Sequence, residues 1–156
     1  MIRIASILLL TSLFMYSCSP GPKPDPLASL RKKAEKSICK DVRDLTHTSI
    51  DAMSLGMGSM IIKSVMSESD QDSLLMKPFL PILKEELKSC DKKTLEGISN
   101  NAAERYRFIG SLLLKHREPI TATVKESAAW AVPFIDMAIS KAQELANKQI
   151  DSAVSS

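Results

Sequence analysis

Glycine is scarce in this chain, five residues in 156, and so are aromatic side chains, with one Trp, two Tyr and four Phe. Segments that alternate apolar and polar residues are equally few. A sheet domain needs that alternation and turn glycines between the strands, so strand architectures are excluded. Charge of one sign is also lacking. A net charge of +3, which becomes +2 if Arg3 is removed with a leader, is too even a balance to neutralise many phosphates, and nucleic acid is excluded as an electrostatic partner. No HExxH, GxSxG or CxxC spacing occurs, which removes the common routes to a hydrolytic zinc, a nucleophile elbow or a redox pair. No internal repeat is present. After the first eighteen residues no apolar run approaches the roughly 20 residues that a membrane-spanning helix requires.

What is present begins at the amino terminus. Arg3 is followed by an apolar run from Ile4 to Tyr16, diluted only by Thr11 and Ser12, and then by Ser17-Cys18-Ser19-Pro20. This is the layout of a secretory signal. The run is too short to cross a hydrocarbon core of about 30 Å and is expected to be removed. Ser17 and Ser19 would suit an ordinary signal-peptidase cut, but Pro20 would then follow it, and proline is a poor residue there. A cut before Cys18 avoids the proline.

The tetrad Met15-Tyr16-Ser17-Cys18 resembles a bacterial lipobox, with a small residue before the cysteine and Met15 where leucine is usual. The resemblance covers the leader alone. It implies a thioether-linked diacylglycerol and an acylated amino group on Cys18, an anchor of several chains and therefore firm. Ser19 after the cysteine implies the outer membrane of a diderm host, with the protein facing the periplasm. A soluble secreted protein is the alternative.

Giving Cys18 to lipid leaves Cys39 and Cys90 in a compartment where disulfides persist. The expectation is that they pair, closing a loop of about 52 residues worth roughly 4 kcal/mol on the chain-entropy model. Two free buried thiols, or a two-cysteine metal or redox site, are the alternatives.

Residues 1–17 thus read as signal peptide, 18–26 as a proline-rich tether and 27–156 as a single helical domain. In the tether, proline recurs at every second position from Pro20 to Pro26. Such a segment is extended, at about 3 Å per residue. Asp25 is expected to cap, and Pro26 to open, a first helix running to about Ser67, because Leu30, Ala34, Ile38, Val42, Leu45, Ser49, Met53, Met57 and Met60 advance by threes and fours. The polar run Ser67 to Ser73 should end it. A second helix is expected over Pro78–Ser89 and a third after Asn101, where Asn101-Ala-Ala-Glu104 has capping-box spacing; residues 91–99 belong to the third or form a short helix of their own. The last segment should start near Pro119 and kink at Pro133. Its Ala138, Ala142 and Ala146 allow close helix approach. The fold class expected is all-α, a small bundle of four to five helices clamped by one disulfide.

Candidate sites are few. Met53, Met57 and Met60 lie within about 60° on a helix. Thioethers suit monovalent copper, but methionine also fills core gaps or lines an adaptable groove, and a core or partner-groove role fits the continuing apolar stripe better. His47 and His116 have no ligand or base partner at motif spacing. Gly56-Met57-Gly58 ahead of Lys63-Ser64 does not make a phosphate loop, because Ile62 stands where glycine is required and no strand leads in. Glu85 and Glu86 are adjacent and point to different parts of a helix surface. Arg31, Lys32, Lys33, Lys36 and Lys40, with Arg43 beyond them, cluster near the anchor, where they suit either a membrane surface or a plain solvated face.

These features lead to an expected function. The chain is read as an exported, lipid-anchored, non-enzymatic helical protein that presents a surface to a protein partner in the cell envelope, as a scaffold, assembly factor or inhibitor. The alternative is a binder of a small apolar or lipid ligand between Met-rich helices, with Met66 and Met76 adding to the lining. Neither reading calls for a cofactor or metal.

Overall fold

The computed structural model describes residues 25–53, 64 and 66–154. Among these, every regular element is helical: α1 (Ala28–Met53), α2 (Glu68–Ser89), α3 (Lys92–Asn100), α4 (Ala102–Lys115), α5 (Arg117–Ser127) and α6 (Val132–Val154), with a short 3-10 turn at Ala129–Ala131 before α6. The fold is all-helical as expected. Among the described residues the count is six rather than four to five, because the last segment breaks instead of kinking. At Ala128 the backbone leaves the helix at φ −157° and ψ 85°. Pro133 is then the second residue of α6, inside a first turn that needs no N–H from it.

Helix α1 starts two residues later than expected. Asp25 Oδ1 accepts from the Leu27 N–H at 2.9 Å and the Asp25 carbonyl accepts from the Ala28 N–H at 3.1 Å. The expected stripe is buried: Ala34, Ile38, Val42, Leu45 and Ser49 are all at 0% exposure. Helix α2 starts ten residues earlier than expected. The polar run that was expected to end a helix begins one, since Ser67 Oγ accepts from the Asp70 N–H at 3.2 Å as an N-cap. Pro78 and Pro81 lie inside α2. They remove two backbone donors, yet the helix continues because Leu75, Phe79, Leu83 and Leu87 bury one face of it, each worth about 1.5–3 kcal/mol. Asp91 caps α3, accepting from the Thr94 N–H at 2.8 Å, so residues 92–100 form a separate short helix. Asn101 caps α4 as the spacing predicts, accepting from the Glu104 N–H at 3.2 Å.

Two antiparallel pairs organise the bundle, α1 with α2 and α4 with α6, and α3 and α5 link them. In the second pair Gly110 of α4 faces Ala142, where an added Cβ would meet the alanine methyl at 3.5 Å. The alanine ladder of α6 therefore serves close approach, against α4. In the first pair the register is regular: Arg31 meets Lys88, Glu35 meets Lys84 and His47 meets Asp72.

That register corrects the expected disulfide. Cys39 and Cys90 are both free. On α1 the level of Cys90 is that of Ser29, ten residues below Cys39, and at 1.5 Å rise per residue the two cysteines are offset by about 15 Å along the helix. A disulfide needs Cα atoms within about 7 Å. Cys90 Sγ instead donates to the Glu86 carbonyl at 3.4 Å.

Candidate functional site

The amino-terminal half of α1 and the carboxy-terminal half of α2 enclose a groove of about 730 Å³. Arg31, Lys32 and Lys36 line it from α1, Lys84 and Lys88 from α2, against only two carboxylates, Asp25 and Glu35. The surplus of positive charge sits at the amino-terminal end of α1. Ala28, Cys39 and Leu87 supply apolar floor between the charges.

The five cations are held differently. Arg31 is bound into the structure: its Nε donates to the Leu87 carbonyl at 3.0 Å, its Nη2 donates to the Lys88 carbonyl at 3.2 Å, and it pairs with Asp25. It thus satisfies the last turn of α2 and opposes the negative end of that helix's dipole. Lys84 approaches Glu35 at 3.8 Å, and Lys88 pairs with Glu85 on its own helix at 2.6 Å. Lys32 and Lys36 are exposed and make no ion pair among the described residues. With Lys40 they form a row at intervals of four, and such like-charge neighbours cost α1 a few tenths of a kcal/mol each. Lys33 is directed elsewhere, donating to Asn100 Oδ1 of α3 at 2.9 Å. Of the five basic residues singled out in sequence, three line the groove, Lys40 extends its rim and Lys33 holds α3.

Cys39 lies in the groove wall, and burial, followed by the charge of Glu35, pushes its thiol up. Burial and then the charges of Glu86 and Asp91 do the same to Cys90. Both are held as protonated thiols at neutral pH, a poor state for nucleophilic or metal chemistry. Among the described residues no group of three or more His, Cys, Asp or Glu side chains is arranged to hold a metal.

No protein family, curated protein or solved structure matches the chain.

The remaining expected sites separate. Cys18 lies outside the described residues. Met53 ends α1, and Met57 and Met60 lie outside the described residues, so the expected methionine row is not on view. Met76 packs half-buried against the core. Met66 borders a second groove of about 280 Å³ whose lining mixes Leu74, Pro78 and Ala128 with Asp70, Lys77 and Thr123. His47 Nε2 pairs with Asp72 at 2.8 Å, and His116 Nε2 with Glu86 Oε1 at 2.9 Å. Hydrogen bonds from Lys115 and His116 hold the Glu86 carboxyl below its ordinary range. Each joins two helices.

Two features went unmarked in the sequence. Lys84 and Lys88 repeat at i, i+4 on α2, a signal of one charged face, but their opposition to Lys32 and Lys36 depends on the α1–α2 register. The second is Trp130, the chain's one tryptophan. It is 47% exposed in the 3-10 turn ahead of α6. Neighbouring Ala128 lies beside Asp70 and Leu74, which the register sets opposite residues 45–49 of α1, about 20 Å along the bundle from the basic groove. No helix among the described residues is long and apolar enough to cross a membrane.

Proposed function

We propose that the chain is an exported, lipid-anchored, non-enzymatic helical protein that presents a surface to a protein partner in the cell envelope, as a scaffold, assembly factor or inhibitor. Trp130 carries this reading. Tryptophan buried at an interface contributes heavily to binding, and this one is half-exposed at the end of the bundle remote from the tether. With Cys18 acylated, the few residues before Asp25 keep the start of α1 close to the membrane, and the Trp130 end is the one free to meet a partner. A 3-10 turn between two helices carries the residue, and a backbone already ordered there has less entropy to lose on binding.

Photo-crosslinking in cells tests the proposal. A photoreactive phenylalanine at position 130 should give a discrete protein adduct that is absent when the same group replaces Glu144, an exposed residue on α6. No adduct from position 130, or the same adducts from both positions, would overturn it. The mass of the mature amino terminus tests the anchor separately: Cys18 should carry the acyl chains, and an unmodified cysteine would remove that part of the reading.

A further inference from the structure

We propose that the groove between α1 and α2 binds the phosphate-bearing headgroups of anionic lipid in the membrane to which the chain is tethered, so that this end of the bundle lies against the bilayer. The proposal rests on the anchored reading of Cys18, although its test does not use the anchor. Three observations support it. The groove has five cations and two carboxylates, and both carboxylates already face basic partners, Asp25 with Arg31 and Glu35 with Lys84. Lys32 and Lys36 are left exposed with no ion pair among the described residues, and Lys40 continues their row along α1. A face of this kind complements an anionic surface, to which each nearby cation adds attraction.

Size and position select the occupant. A volume of about 730 Å³ leaves room for a whole headgroup and not only for a single small ion. The apolar floor at Ala28 and Leu87 and the methylene stems of the lysines suit the boundary between headgroups and acyl chains. The seven residue steps from Cys18 to Asp25 can reach at most about 25 Å even when fully drawn out. A groove that opens directly beside Asp25 therefore stays within reach of the headgroup layer, whereas an acidic protein domain would have to enter the space between bundle and bilayer.

The test uses the mature chain from residue 18 with Cys18→Ser, which carries no lipid, sedimented with phosphatidylcholine vesicles made with or without phosphatidylglycerol. Binding should require phosphatidylglycerol. Lys32→Gln/Lys36→Gln should weaken it about 25-fold, at roughly fivefold for each cation lost at the surface. Lys125→Gln/Lys148→Gln, which removes the same charge from exposed positions on α5 and α6 that do not line the groove, should weaken it by less than about twofold. Equal binding to neutral vesicles, no binding to anionic ones, or equal losses in the two variants would overturn the proposal. Displacement by inorganic phosphate matched to the headgroup concentration would assign the groove to free phosphate and overturn it as well. Failure here would leave the crosslink from position 130 and the mass of Cys18 unaffected.

Discussion

Replacing Arg105 with alanine should destabilise the domain by about 3 kcal/mol. Arg105 of α4 donates from Nε to Asp41 Oδ2 of α1 at 2.6 Å and from Nη1 to the Ile98 carbonyl of α3 at 3.3 Å. One guanidinium therefore ties three helices together. Asp41 is only 7% exposed, and truncating the arginine would leave its carboxylate buried without a cation. Breaking a buried pair in this way costs about 3–5 kcal/mol. The lower end applies because both side chains retain some contact with solvent, 16% for Arg105 and 10% for Asp41. At about 4 °C per kcal/mol for a domain of this size, Tm should fall by about 12 °C. Removing both charges, as Asp41→Leu/Arg105→Met, should restore most of the loss, because apolar groups of similar volume replace buried pairs at little cost. Urea unfolding followed by far-ultraviolet circular dichroism measures the wild type and both variants. A loss below about 1 kcal/mol for Arg105→Ala, the range of an exposed pair, would refute the reasoning. So would a double variant as damaged as the single one.

Two further outcomes follow from groups outside that pair. In the Cys18→Ser chain, Cys39 and Cys90 should both react with a thiol reagent in denaturant without reductant, and Tm should be the same with and without reductant; a single disulfide, or a fall in Tm on reduction, would contradict the register of α1 and α2. Glu86→Gln should lower Tm at neutral pH, with a gap that closes under acid. The hydrogen bonds from Lys115 and His116 lower the folded pKa of Glu86 relative to the ordinary 4.5, so its contribution is complete above that value and is lost as pH falls through the folded one. A gap independent of pH would show that the two bonds do not act through the charge of Glu86.

Much of the helical layout was legible because it rests on local rules. The stripe of α1 and the cap at Asn101 depend on residues three or four apart, and the chain shows both where the periodicity puts them. Ser67 to Asp70 was misread because a polar run between apolar segments suits a helix end as well as a helix start; the cap geometry decides, and Ser67 has the spacing of a cap with Asp70 at its third position. Pro78 and Pro133 misled in opposite senses. The first is tolerated inside α2 because the buried face holds the helix on both sides of it, whereas the second opens α6 because the chain had already broken at Ala128. The disulfide failed for a reason that no local pattern encodes. Cys39 and Cys90 sit on neighbouring helices, but a pairing register is a property of two elements at once. The basic groove shares that origin: its α1 half was visible as a cluster near the tether, and its α2 half acquired meaning only when Lys84 and Lys88 were set opposite.

Arg31 has a mechanical consequence. It joins the first turns of α1 to the last carbonyls of α2, close to the amino-terminal end of the described residues. A pull through the amino-terminal segment is directed along α1 and loads this contact first. Because α2 runs antiparallel alongside α1, the load acts in shear across the whole buried seam from Ala34 to Ser49 instead of peeling one turn at a time. A load on the start of α1 would thus be shared along the seam rather than borne by a single turn.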